Sequence, residues 1–174
     1  MNEVLKAMHE RRSTRKFKPD AVPRELIEQV VEAGLWAPSG MNRQSTIIVA
    51  VTDKQLRDRL SEANRAIGGW SEGFDPFYGA PVVLIVLACK DAPTYLYDGS
   101  LAMGNMLLAA HALGLGSCWI HRAKEEFEGD EFKALLADLG IQGDYEGIGH
   151  CILGYIEQET PAQPRKDDRA FWVE

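Results

Sequence analysis

Apolar residues recur along this chain with two periods, and the switches between them mark out its elements. Val4, Leu5 and Met8 share one face of a helix expected over about Asn2–Arg11. Leu26, Ile27, Val30, Val31 and Leu35 repeat at helical spacing after Pro23. A proline can open a helix at its first position, where the missing N–H costs little; Pro38 and Gly40 stop it. Ile47–Val51 reads as a buried strand, and Asp53 is placed to cap a helix carrying Leu56, Leu60, Ala63 and Ile67. The loop Gly68–Gly79 holds Trp70, Phe74, Phe77 and Tyr78. These aromatics would either cover a flat substrate or anchor the loop on its own core, and the pattern favours neither. Val82–Ala88 is unbroken apolar sequence, as in a central strand covered on both faces. Asp98–Leu113 is apolar nearly all round, which predicts a helix buried in a core or a subunit interface, with Gly114 closing it. Ser117–His121 is a strand, Glu131–Leu139 a helix and Ile148–Ile156 a strand. Glu157–Glu174 is polar and proline-bearing, yet ends in Phe171-Trp172-Val173, and this tail is expected to pack on a partner subunit rather than face solvent. Trp36 and Trp119 are expected to be packing residues.

Alternation of helices and strands alone suggests α/β. No repeat or linker divides the 174 residues, a length that fits one domain with a full core. A net charge of −7 sets the long-range field against phosphate, so neither nucleic acid nor an anionic membrane is an expected partner. Cys89, Cys118 and Cys151 all fall in apolar runs; an odd number of buried thiols points to a reducing compartment, and the charged opening Met1–Arg12 agrees with a cytoplasmic protein. Leu101–Leu115, the longest apolar stretch, is broken by Gly104, Asn105 and His111, too short and too polar to span a bilayer.

Against that acidic background, Arg11-Arg12-Ser13-Thr14-Arg15-Lys16-Phe17-Lys18 gathers five cations in eight residues. Guanidinium forks with the Ser13 hydroxyl can hold a phosphate dianion; a solvated basic turn after a helix is the plainer alternative. Ala37-Pro38-Ser39-Gly40-Met41-Asn42-Arg43-Gln44 joins a helix to a strand. Its small residues allow a flat ligand close to the backbone, and the amides of Asn42 and Gln44 can both donate and accept; alone it is a helix-stop turn. Arg165-Lys166 after Pro164 is by itself an ordinary charged tail. Other chemistries lack their motifs. There is no GxxxxGK[ST] loop and no GxSxG elbow. Gly147-Ile148-Gly149 precedes a strand where a dinucleotide fingerprint should follow one. Cys118 and His121, or His150 and Cys151, diverge on a strand, so no metal site is expected.

Taken in order, these segments resemble the nitroreductase-like family of FMN-dependent NAD(P)H oxidoreductases, over nearly the whole chain. The RRSTRKF opening looks like that family's first flavin segment. The resemblance implies that Arg11, Arg12 and Ser13 hold the phosphate and ribityl side of FMN and that Arg15 reaches the pyrimidine end of the ring, where charge develops on reduction. APSGMNRQ resembles the second segment, supplied across a subunit interface, with Pro38, Ser39, Gly40, Asn42 and Gln44 near the flavin. Gly114-Leu115-Gly116-Ser117-Cys118-Trp119-Ile120 resembles the strand leading to the isoalloxazine, so that backbone groups of Trp119, Ile120, His121 and Arg122 would face its N5 and O4 edge. Gly154-Tyr155 and Pro164-Arg165-Lys166 resemble the closing strand and phosphate-binding tail, giving Arg165 and Lys166 a cofactor role. Ser45-Thr46 stand where the family often has proline and an aromatic residue, a departure that bears on the acceptor pocket.

The resemblance implies an α+β fold, a mixed and largely antiparallel sheet flanked by helices, in an intertwined homodimer. It also implies transient binding of NADH or NADPH and ping-pong hydride transfer to nitroaromatic, quinone or similar flat acceptors, with no catalytic side chain. Two alternatives stay open: a flavoprotein of this fold with another redox task, such as flavin reduction or oxidation of a biosynthetic intermediate, and a non-catalytic module binding a phosphorylated ligand.

Overall fold

The computed structural model describes residues 1–174. Helix α1 (Glu3–Glu10) begins where the Asn2 side chain accepts the Leu5 N–H. Helix α2 (Arg24–Leu35) starts one residue after Pro23, and α3 (Lys54–Gly68) is capped by Asp53, whose carboxylate accepts the Leu56 N–H at 2.8 Å. Then come β2 (Val82–Cys89), α4 (Tyr95–Ala112), β3 (Gly116–Ile120), α5 (Ala123–Glu128), α6 (Asp130–Asp138) and β4 (Tyr145–Gly154); β1 (Thr46–Val51) precedes α3. Helix α5 was not foreseen: six residues with three glutamates offer too little apolar periodicity.

The sheet runs β1-β2-β4-β3, and each neighbouring pair is antiparallel. The α/β expectation drawn from alternation alone is therefore corrected to α+β. The one parallel feature is an isolated bridge between Ser13 and Ser117 at the free edge of β3. α3 joins the antiparallel neighbours β1 and β2, and α5 and α6 join the antiparallel neighbours β3 and β4, while α4 crosses over β4 from β2 to β3; hydrophobic periodicity does not carry that distinction.

β2 shows why both sheet faces are covered. Val83, Ile85 and Leu87 enter one core with Leu60 of α3, Phe127 of α5 and Phe132 and Leu136 of α6. Val82, Leu84 and Val86 enter the other with Ile27 and Val30 of α2 and Ala102, Met103 and Met106 of α4. The period of two sends alternate side chains to opposite faces, and fully burying each Val, Leu or Ile contributes about 1.5–3 kcal/mol. At the end of α4, Gly114 at φ +75° ends the helix before the chain turns into β3.

Several surfaces stay apolar. Val4, Leu5 and Met8 of α1 are about half exposed, and Leu96, Tyr97 and Leu101 of α4 are open. Trp36, expected as a packing residue, is 79% exposed: it sits at the C-cap of α2, past the last turn that reaches the core. Residues 157–174 are exposed throughout, including Phe171, Trp172 and Val173. No helix is long and apolar enough to cross a membrane.

Candidate functional site

The basic segment runs extended along the free edge of β3. The Thr14 N–H donates to the Ser117 carbonyl at 2.9 Å, and the Lys18 N–H to that of Tyr155 at 2.9 Å. Arg11 and Arg12 then line a cavity of about 280 Å³ with Thr14, His111, Ser117 and Thr160. The Arg11 Nη1 is buried and has no hydrogen-bond partner. A buried, unpaired guanidinium nitrogen costs free energy, and an anion in the cavity would remove that cost. Arg12 differs, because its Nη1 already donates to the carbonyls of His9 at 2.7 Å and Arg11 at 2.6 Å. Arg15 is exposed and lines a neighbouring cavity of about 300 Å³ with Lys16 and residues 158–161. The tail begins here: Thr160 donates its hydroxyl to the Ser13 carbonyl at 3.0 Å, and Lys16 faces Glu157 at 3.3 Å. Arg165 and Lys166 lie farther along that tail, exposed and without an ion pair.

The second segment lies at the other edge of the sheet, before β1. It is pinned by Asp98, a buried carboxylate on the first turns of α4 that accepts from the Gly40 N–H at 3.0 Å, the Ser45 hydroxyl at 2.9 Å and the Thr94 hydroxyl at 3.1 Å. Ser39 accepts the Gln44 N–H at 2.9 Å. Met41, Asn42 and Gln44 all have positive φ, an uncommon conformation for residues other than glycine. Pro38, Ser39 and Gln44 line a cavity of about 170 Å³, while Asn42 and the Gln44 side chain point outward and meet only each other at 3.3 Å. Asp98 was not singled out in the sequence, although it is the one acidic residue in the otherwise apolar helix.

At its far end β3 delivers the third group. Trp119 and His121 stack at 5.7 Å and line an open cavity of about 490 Å³ with Leu96, Ser100, Arg122 and Lys124. Ile120 points into the core, leaving its backbone as the part that can face a ligand. The Trp119 Nε1 is buried without a partner. Arg122 lies over the Trp70 ring at 4.3 Å, the point where the Gly68–Gly79 loop meets this cavity. The second half of that loop is anchored inward, while Phe74 stays exposed: Phe77 is fully buried, and Asp75 accepts from Arg57, from Ser61 at 2.6 Å and from the N–H groups of Phe77 at 2.9 Å and Gly79 at 2.7 Å. Burial pushes the Asp75 carboxyl up, but these donors together hold it below its ordinary value.

One chain thus carries the parts on two opposite sheet edges. The Arg11–Arg15 segment and the Trp119–Arg122 turn belong to the β3 edge; Pro38–Gln44 leads into β1, the strand at the opposite edge, and is bonded to the first turns of α4 through Asp98.

The antiparallel α+β sheet with an unpaired guanidinium nitrogen beside its edge strand has counterparts among known proteins. The nitroreductase family model matches residues 8–68 and 70–155. A protein of Archaeoglobus fulgidus, provisionally named NADH dehydrogenase/NAD(P)H nitroreductase, is 32% identical over 164 residues, covering 91% of this chain and 88% of its own. A Methanothermobacter thermautotrophicus protein with the same provisional name is 30% identical over 138 residues, 73% of this chain and 66% of its own. The crystal structure of a Bacteroides fragilis nitroreductase with bound FMN superposes with a TM-score of 0.88 at 29% identity, covering 100% of both chains. The chain belongs to the nitroreductase family.

Proposed function

We propose that this chain holds FMN and acts as an NAD(P)H-dependent oxidoreductase that passes electrons to flat acceptors such as nitroaromatics and quinones. The observation that carries the reading is the buried, unpartnered Arg11 Nη1 in the cavity beside Ser117. It fits a phosphate dianion, and an FMN-bound solved structure shares the fold over its full length. Arg11, Arg12 and Ser13 would hold the phosphate and ribityl side, joined by Arg165 and Lys166 of the tail. Arg15 would face the pyrimidine end of the ring. The backbone of Trp119, Ile120 and His121 would face its reactive edge.

In this reading the second segment reaches the site from another subunit. Pro38, Ser39, Gly40, Asn42 and Gln44 stand on the β1 edge of their own chain, so the cofactor site is completed in a homodimer. The open apolar faces of α1 and α4 supply a dimer surface, and the exposed Phe171–Val173 tail supplies an arm to wrap it. Large exposed apolar patches mark such interfaces.

Bound FMN would supply the hydride and electron transfer between nicotinamide and acceptor. The protein's part is binding, orientation and charge. Arg15 would stabilise negative charge near N1 and O2, because a fixed cation there acts where charge develops. Donor and acceptor would use the same open face in turn, so initial rates against both substrates should give parallel double-reciprocal lines. Converging lines would contradict the ping-pong order. Subunit mixing tests the shared site. Arg11→Ala and Asn42→Ala proteins, each poor in FMN, should recover tight binding in about half of the sites of their mixed dimers, since one of the two sites is then free of both changes. No recovery on mixing would place both segments in one subunit's site.

A further inference from the structure

Three polar side chains lie in the core beneath the β3–α5 turn with no role in the account above. Asn64 of α3, Glu126 of α5 and His150 of β4 are all buried, with at most 2% of their surface exposed. The Asn64 Nδ2 donates to the Glu126 Oε1 at 2.6 Å and to the His121 carbonyl at 2.8 Å. His150 Nε2 lies 2.9 Å from Glu126 Oε2, close but not aligned as a hydrogen bond. The His150 ring packs on Phe77, whose ring centroid is 5.2 Å away. Such a group is an expensive way to fill a core. Asn64 Oδ1 and His150 Nδ1 are left without partners, and apolar residues of similar volume would avoid that penalty.

What the group reaches is one peptide. Arg122, next to the anchored carbonyl, has φ 81° and ψ 5°, a left-handed conformation that a long side chain rarely adopts. The turn is held from three directions: Asn64 takes the His121 carbonyl, the Trp70 ring lies under the Arg122 guanidinium at 4.3 Å, and Ala123 sits so close to Gly147 that a Cβ there would come within 2.3 Å of Ala123 backbone atoms. In a trans peptide the C=O and the following N–H point in opposite directions. With the His121 oxygen drawn into the core on the Phe77 side of the sheet, the Arg122 N–H points the other way. That direction leads to the cavity lined by Trp119, His121 and Ser100, and this N–H has no partner within the chain.

We infer that Asn64, set by the Glu126–His150 pair, is a positioning residue that fixes the His121–Arg122 peptide and aims the Arg122 N–H into the 490 Å³ cavity as a ligand donor. The inference rests on the flavin reading only for what that donor meets, which would be an acceptor atom on the reactive edge of the ring. Glu126 keeps the Asn64 amide from rotating by holding one of its N–H bonds. His150 packs against the second carboxylate oxygen and limits the ways Glu126 can turn.

Amide hydrogen exchange of the FMN-free protein, read over residues 119–124 against strand β2, tests the device directly. Asn64→Leu keeps the volume and removes the donor. Exchange in the turn should rise about ten-fold, the loss expected for one buried hydrogen bond, while β2 stays protected. Glu126→Leu should do the same, whereas Glu126→Gln, which can still accept from Asn64, should restore wild-type protection. Unchanged exchange in a folded Asn64→Leu protein, or equal loss of protection in both Glu126 variants, would overturn the inference. If Asn64→Leu fails to fold, the two Glu126 variants decide the question alone. The same proteins separate this inference from the flavin reading. In Asn64→Leu the ratio of oxidised- to reduced-FMN affinity should change about ten-fold. Faster turn exchange in a chain that takes up no FMN would support the positioning device and overturn the flavin assignment.

Discussion

The two edges of the sheet carry polar segments built on opposite principles. At the β3 edge, residues 11–18 borrow the strand: their backbone is extended and paired to Ser117 and Tyr155, and their side chains are left with unmet demands, Arg11 Nη1 above all. At the β1 edge, residues 38–45 have no strand to follow. They are held by one buried carboxylate, Asp98, which collects the Gly40 N–H and two hydroxyls, and the residues with positive φ then turn Asn42 and Gln44 outward. One segment leaves a buried guanidinium nitrogen unpaired beside a cavity. The other is a pinned turn that holds two amides outward. In the proposed function the two edges meet only across a pair of subunits, and each edge should fail in its own way.

The largest effect should come from Arg11→Ala, which removes the unpaired buried donor. FMN affinity should fall by about 100-fold, the size of one charge-assisted hydrogen bond, with little change in unfolding free energy. Arg12→Ala should cost less than about ten-fold, because its Nη1 already serves two carbonyls. Fluorescence titration with FMN measures both, and equal losses would erase the distinction drawn between the two arginines. Asp98→Ala should act in the reverse sense. Three donors lose a buried acceptor, so urea unfolding should show a loss of about 2 kcal/mol, and FMN affinity should fall only as the segment loosens.

A third region serves as a control. Asp75 pins the Gly68–Gly79 loop and belongs to neither edge. Its carboxyl is held below its ordinary value, because its four donors outweigh the effect of burial. A depressed folded value means the contribution is present above the unfolded value near pH 4 and is lost as pH falls through the folded one. Asp75→Asn should therefore cost about 1–2 kcal/mol at pH 7, and the difference from wild type should shrink on acidification below about pH 4. FMN affinity at pH 7 should hold, and a fall as large as that of Arg11→Ala would make the loop part of the site. The smallest effect concerns Cys151, behind the β3 edge. Burial pushes its thiol up to about 12, with Cys118 adding to the rise and Arg11 opposing it. A thiol reagent added to folded protein at pH 8 should label the half-buried Cys89 and leave Cys151 untouched.

Much of this was legible in the residues. Val82–Ala88 has to be a central strand because no other element buries seven consecutive apolar side chains on two faces, and the Asp53 cap and the Gly114 stop have local causes. Strand direction was not legible, since the same helix–strand alternation serves parallel and antiparallel neighbours. The basic segment stood out by charge against an acidic chain, but the difference between Arg11 and Arg12 depends on which carbonyls lie within reach. Asp98 left a trace, one carboxylate in an apolar helix. Asn64 and Glu126 left none, because their meeting with His150 joins three elements that lie far apart in the sequence. Trp36 failed as a packing residue because a helix end, unlike its middle, need not face the core.

The visible absorption spectrum of the purified protein, supplied with FMN and then titrated anaerobically with NADH and NADPH, tests the central claim most directly. The account predicts oxidised-flavin bands that stay with the protein through gel filtration and bleach on addition of a nicotinamide. A protein that stays colourless after incubation with FMN would contradict it, and would leave the Arg11 cavity as a site for some other phosphorylated ligand.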